Sequence, residues 1–214
     1  MNCRSCKQSV DGDARFCSAC GTPLWDEDPA HQIARAYRHE LEGNRERAIA
    51  AFEEMLDATD DPEHSSAIRK HVGNLHYRLG NLRRARYHLT AARETDPDNP
   101  TLLHDLGVVL YHLADFQGAI DALQHALSRD PDLQLAYFWL GNALYHRGML
   151  GEAETAFREL LDRYPNFTVA HFHLGVIYER QGQREAAYDE FQRVLRKNPA
   201  DAAARHYLEA HAPQ

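Results

Sequence analysis

From residue 66 to residue 199 the apolar positions of the chain recur in register. Gly73, Gly107, Gly141 and Gly175 serve as anchors, each 34 residues after the last. Val72, Leu106, Leu140 and Leu174 stand one residue before them, and His76, Leu110, Leu144 and Tyr178 three residues after. Further on come Ala85, Ala119, Ala153 and Ala187, then Leu89, Leu123, Phe157 and Phe191, then Ala92, Ala126, Leu160 and Val194. Within each half of a unit the spacings are three and four, the period of an amphipathic helix. Breaks such as Leu79-Gly80-Asn81-Leu82 and Arg147-Gly148-Met149-Leu150 divide each unit into two helices. Pro97, Pro131, Pro165 and Pro199 cannot lie inside a helix and mark the loop before the next unit. Each unit is therefore predicted to be a helical hairpin that buries its apolar face by stacking on its neighbours.

A fifth, degenerate unit precedes these, with Gly43, Ala48 and Phe52 matching Gly80, Ala85 and Leu89. It has Arg35 and His39 where apolar residues are expected, and its loop, Thr59-Asp60-Asp61-Pro62-Glu63, reads three residues longer. After Pro199 the segment from Asp201 to Ala212 is predicted as a last helix, started by the Asp201 cap and covering the exposed face of the final repeat. The small residue in the first helix, the alanine and aromatic in the second and the closing proline resemble the tetratricopeptide repeat (TPR) family. The resemblance spans roughly residues 30 to 212 and implies an all-α right-handed superhelix. In it, a concave groove is lined by the first helix of each hairpin. The expected boundaries are repeats near 30–62, 66–99, 100–133, 134–167 and 168–199 and a closing helix at 201–212, within a TPR domain at 30–214.

Residues 1–25 are a different kind of module. Cys3-x2-Cys6 and Cys17-x2-Cys20 hold all four cysteines of the chain. Two such knuckles facing each other complete a tetrahedral sulfur site suited to zinc. Asp11-Gly12-Asp13 is a plausible hairpin turn between short strands. So short a segment buries little apolar surface, and the metal would supply its folding free energy. Phe16-Cys17-Ser18-Ala19-Cys20-Gly21-Thr22-Pro23-Leu24 resembles the second knuckle of the short zinc-ribbon family, whereas Arg4 and Lys7 stand where that family usually has proline and glycine. Four sulfur ligands leave no open position, so one structural Zn2+ on Cys3, Cys6, Cys17 and Cys20 is expected. Asp26-Glu27-Asp28-Pro29 is the candidate joint to the repeats.

The TPR resemblance assigns the groove-facing positions of each first helix. They are Lys70, Asn74, Tyr77 and Arg78 in one repeat and His104, Tyr111 and His112 in the next. Phe138, Asn142, Tyr145 and His146 follow, then Phe172 and Arg180. Tyrosines beside cations offer large contact area with hydrogen-bonding tips and suit a peptide carrying apolar and acidic residues. The family's clamp for a chaperone's C-terminal carboxylate is incomplete. Lys70 and Asn74 fit, but Asp105, Leu135 and Trp139 do not.

Charge and composition narrow the partners. A net charge of -8 disfavours nucleic acid and anionic membranes as partners. No apolar run approaches the ~20 residues that span a bilayer, and the start of the chain has no apolar stretch of signal-peptide type. Cysteines confined to a metal-type motif fit a reducing, cytoplasmic setting. There is no glycine-rich phosphate loop, nucleophile elbow or His-Glu-x-x-His motif. His112 and His146 lie on neighbouring helices and could share an ion, but they are expected to be solvated or groove histidines. The expectation is a non-enzymatic adaptor, with a monomer slightly favoured. A regulator touching nucleic acid or the transcription machinery through the ribbon is the alternative.

Overall fold

The computed structural model describes residues 3, 5–10, 16–22 and 29–210. Among them are eleven helices: α1 (Pro29–Leu41), α2 (Arg45–Ala58), α3 (Pro62–Arg78), α4 (Leu82–Thr95), α5 (Pro100–His112), α6 (Phe116–Arg129), α7 (Gln134–His146), α8 (Leu150–Arg163), α9 (Thr168–Arg180), α10 (Arg184–Lys197) and α11 (Ala202–Ala210). Consecutive helices pair as hairpins, α1 with α2 through α9 with α10, and α11 rests on α10. Two compact units result, residues 1–95 and 96–214. No strand occurs among the described residues; Ser9 and Phe16 are isolated bridge positions. The turn at Asp11–Asp13 and all of the joint except Pro29 lie outside the described residues.

One boundary differs from the sequence expectation. Pro62 and Glu63 are not loop: α3 begins at Pro62 and runs for 17 residues. Asp61 caps it by accepting a hydrogen bond from the Glu63 amide at 3.0 Å. Proline at the first helical position has no amide to leave unsatisfied, so the three extra residues extend the helix. Asn99 before Pro100 repeats the device in α5, accepting from the Leu102 amide.

The anchor glycines set the distance between the helices of each hairpin. A Cβ at Gly73 would lie 2.7 Å from Leu89 Cγ, and one at Gly107 would lie 2.6 Å from Leu123 Cγ. At Gly141 and Gly175 the same Cβ would meet the rings of Phe157 and Phe191 at 2.7 Å. The residue sixteen positions on thus fills the space that the missing side chain leaves. Leu89, Leu123, Phe157 and Phe191 are all buried. Four of the five hairpin turns hold glycine with positive φ: Gly43, Gly80, Gly148 and Gly182. In the α5–α6 turn Ala114 takes that conformation at φ 59°, a left-handed backbone that is costly for a side chain.

The degenerate first hairpin packs in spite of Arg35 and His39. Ala36, Ala48, Ile49, Phe52 and Met55 form one core with Ile68, Val72 and Leu75 of α3. Arg35 turns to the surface and pairs with Glu54. At the other end, the Asp201 carboxylate accepts from the Ala204 amide at 3.0 Å and starts α11. Tyr207 of that helix stacks on Phe191 with centroids 4.4 Å apart. Burial, and then a hydrogen bond to Glu179, push its phenol up to about 12.

His173 lies face to face on Phe157, with ring centroids 5.1 Å apart and planes 2° from parallel. Phe138 and Phe172 meet it edge-on. Burial, helped by the nearby His146, pushes His173 down to about 4. The folded state therefore refuses a proton that the unfolded chain accepts near pH 6.5. Its contribution is fully present above about pH 6.5 and is lost as pH falls towards about 4.

Two measurements test this packing. Gly141→Ala is expected to cost about 1–3 kcal/mol in urea unfolding, because the Phe157 ring must shift. Gly151→Ala, whose Cβ would meet nothing within 4 Å, should leave stability within about 1 kcal/mol of the parent or slightly raise it. His173→Phe should lose less thermal stability than the parent between about pH 7 and about pH 4.5. An equal loss in both proteins would remove His173 as a source of acid sensitivity.

Candidate functional site

The cysteine module closes on itself through two similar knuckles. Lys7 donates its amide to the Cys3 carbonyl at 2.7 Å, and Gly21 donates to the Cys17 carbonyl at 2.9 Å. The Cys3 and Cys17 amides donate onward to Gln8 and Thr22. Lys7 and Gly21 occupy equivalent places and share positive φ, 60° and 70°. Lysine therefore takes the conformation for which the second knuckle uses glycine. Cys3 and Cys17 are buried and Cys6 and Cys20 exposed. The four Sγ atoms lie within 4.8 Å of one another. Cys3 to Cys20 is 3.6 Å and Cys6 to Cys17 is 3.5 Å. A zinc tetrathiolate with bonds of ~2.3 Å has edges of ~3.8 Å, so the cluster has the size of that group.

In the unit formed by residues 1–95, Lys70, Asn74, Tyr77 and Arg78 share one stripe of α3, as their spacing of four, three and one requires. Lys70, Asn74 and Tyr77 are half-buried and Arg78 is exposed. Arg78 donates to Glu40 of α1 at 3.0 Å, and the other oxygen of Glu40 meets His71 Nε2 at 2.8 Å. Glu40 thus neutralises this end of the stripe. That partner was not legible, because it lies in the degenerate repeat, 38 residues earlier.

In the unit formed by residues 96–214, the aromatic positions converge. Tyr111 of α5 lies 5.1 Å from Trp139 and 5.7 Å from His146, both on α7, and 5.7 Å from Phe116 of α6. His112 meets Trp139 edge-on at 5.2 Å, and His146 stacks on Phe116 at 4.9 Å. The Arg180 guanidinium of α9 sits 4.8 Å over the Tyr145 ring. Tyr111, Trp139 and Tyr145 are half-buried, and His112, His146 and Arg180 are exposed. Each tyrosine thus backs an exposed cation or imidazole. Burial raises the Tyr111 phenol and keeps it a neutral hydrogen-bonding tip. Trp139 and Phe116 were missed in the sequence because neither stands at an assigned groove position. The signal was there, since Trp139 is one of only two tryptophans in the chain.

Four assigned groove residues play other parts. Asn142 is buried, and its side-chain amide donates to the Phe138 carbonyl one turn back, so it has no face to offer a ligand. Phe138 packs on Phe157, Phe167 and His173, and Phe172 packs on Phe191 and on Tyr207 of α11. Both lie between helices because the closing helix and the bulky residue at the crossing give their rings apolar neighbours. His104 turns to the adjacent Asp105 at 3.1 Å, with its Nε2 buried. His112 and His146 belong to no metal-sized cluster among the described residues; their rings are used in aromatic contacts.

A depression of about 1040 Å³ lies elsewhere, lined by Arg158, His171, Glu190, Arg193 and Lys197 among others. Two of its guanidiniums have acidic partners. Glu190 joins His171 at 2.6 Å and Arg193 at 3.2 Å, and Arg158 is held by Glu154 and the Tyr178 hydroxyl. Among the described residues no helix is long and apolar enough to cross a membrane.

Comparison with known proteins gives the same repeat. No curated protein matches the sequence. Among solved structures, MamA is similar at 26% identity and a TM-score of 0.73, over 78% of this chain and 96% of that one. YrrB, described as a TPR protein with an unusual peptide-binding site, is similar at 25% identity and a TM-score of 0.76, over 86% of this chain and 93% of its own. A tetratricopeptide repeat protein from Parabacteroides merdae shares the fold at 18% identity and a TM-score of 0.76, over 83% of this chain and 70% of that one. A family model described as tetratricopeptide repeat matches residues 72–133, 113–166 and 140–202, and a second one matches 30–66. With more than half of its length matched in overlapping segments, the chain belongs to the tetratricopeptide repeat family.

Proposed function

We propose that this chain is a non-enzymatic adaptor that holds a protein or peptide segment against the first helices of its repeats. The observation that carries the proposal is the cluster of Tyr111, Trp139 and His146, with Arg180 seated on Tyr145. Amphipathic rings fixed by their neighbours lose little entropy on binding and bury large area, as at interface hot spots. His112, His146 and Arg180 at the exposed edge favour carboxylates, so the ligand is a segment of apolar and acidic residues. The peptide-binding site ascribed to YrrB supports extending that role to this chain. Neither nucleic acid nor a membrane is proposed as a partner, and the adaptor is proposed to act as a cytoplasmic monomer.

The cysteine module is proposed to hold one structural Zn2+, with Cys3, Cys6, Cys17 and Cys20 as ligands. The sulfur spacing supports this, as does the burial of Cys3 and Cys17 in a cluster with Val10 that is too small to fold on apolar contact alone. The module would serve as a cap or as a second contact surface.

The groove is tested by selecting peptides from a random displayed library on the full chain and measuring their affinity by fluorescence anisotropy. Selected sequences should be rich in acidic and apolar residues. Tyr111→Ala/Tyr145→Ala should bind them at least ~10-fold more weakly while keeping its helical circular dichroism. Undiminished binding would move the site off these helices. For the module, Cys17→Ser should lose one tightly held equivalent of Zn2+ by metal analysis with its helical signal unchanged. Full retention of that equivalent would overturn the assignment.

A further inference from the structure

Three side chains outside both sites converge in the unit formed by residues 1–95. Glu53 on α2, His76 on α3 and His88 on α4 each present a ligand atom, and these atoms lie within 4.8 Å of one another. The Nε2 atoms of His76 and His88 face the same Glu53 oxygen at 4.0 and 3.8 Å. The two imidazoles are stacked with centroids 5.4 Å apart. His76 is 2% exposed and His88 7%, whereas the Glu53 side chain is 46% exposed. Both nitrogens of His76 and Nδ1 of His88 are buried without a hydrogen-bond partner.

That arrangement is anomalous for a packed repeat. His76 stands three residues after the anchor glycine, where the other repeats place Leu110, Leu144 and Tyr178. A polar residue at a core position, with its nitrogens unsatisfied, destabilises the fold unless something occupies the lone pairs. The separations of 3.8 and 4.0 Å are too long for hydrogen bonds. They exceed the ~3.3 Å between neighbouring ligands of a tetrahedral metal with bonds of ~2.0–2.1 Å by roughly half an ångström, a gap that a turn of the half-exposed Glu53 side chain can close.

We propose that Glu53, His76 and His88 form a second metal site, distinct from the cysteine module and taking a divalent first-row cation such as Zn2+. Two imidazoles and one carboxylate suit that class. Three protein ligands leave a position for water on the side where Glu53 is exposed. Arg69 and Arg84 lie close enough to His88 to act on its charge. The Glu53 carboxylate offsets the nearby guanidinium charge for an incoming cation. Ligands on three consecutive helices would tie the degenerate first hairpin to the second.

The test is a Zn2+ titration of the full chain by calorimetry, with equilibrium dialysis and metal analysis as the count. The parent should bind one equivalent beyond the cysteine module, and Cys17→Ser should keep this equivalent while losing the other. Glu53→Gln, at a half-exposed position, should fold normally and bind it at least ~10-fold more weakly. His76→Leu restores the residue type that other repeats carry, so the metal-free protein should unfold at higher urea and the second equivalent should vanish. A parent that binds only the equivalent removed by Cys17→Ser would overturn the proposal. So would a second equivalent whose affinity is unchanged in Glu53→Gln, since the ion would then sit on surface histidines.

Discussion

The close approach of two helices at an anchor glycine is the contact on which each of the four regular hairpins depends. Gly73, Gly107, Gly141 and Gly175 leave no room for a Cβ, because Leu89, Leu123, Phe157 and Phe191 press into the place it would occupy. A small residue and a large one are thus complementary across sixteen positions, and the pair fixes the separation of the helices. Everything else in the repeat is arranged around that separation. The alanine four residues before the large residue is buried in each of these hairpins as well. Phe157 shows the second layer. It fills the space at Gly141 and carries the flat ring of His173 from the following first helix.

The same regularity leaves the first helices with one face that the core does not use, and polar and aromatic side chains accumulate there. They do not all remain available to a partner. Asn142 satisfies its own helix, Glu40 occupies Arg78, and the closing helix covers Phe172 through Tyr207. What is left in the unit formed by residues 96–214 is a compact group of rings edged by His112, His146 and Arg180. Its rings are held in place by one another, a condition for a surface that binds without first ordering itself.

Departures from the regular pattern stand out against it. Lys7 and Ala114 adopt a backbone that the equivalent positions give to glycine, and both sit in turns whose geometry is imposed by the contacts on either side. His76 replaces an apolar residue in the core and meets His88 and Glu53 there. Consistency from repeat to repeat makes such exceptions conspicuous, since the other repeats show what packing alone prefers.

The hairpins, their anchor glycines, the closing helix and the cysteine quartet were legible in the sequence. They rest on local chemistry repeated at a fixed interval: helical period, turn residues, a capping aspartate and knuckle spacing. The extension of α3 to Pro62 was legible too, in an aspartate that can cap a helix standing directly before a proline that can begin one. The burial of Asn142, the pairing of Arg78 with Glu40 and the membership of Trp139 in the aromatic cluster were decided only by the tertiary structure. So was the meeting of Glu53, His76 and His88. The physical reason is common to them. Each depends on a side chain's direction relative to a helix remote in sequence, and a period of 34 residues fixes which helix is a neighbour without fixing which atoms meet across it.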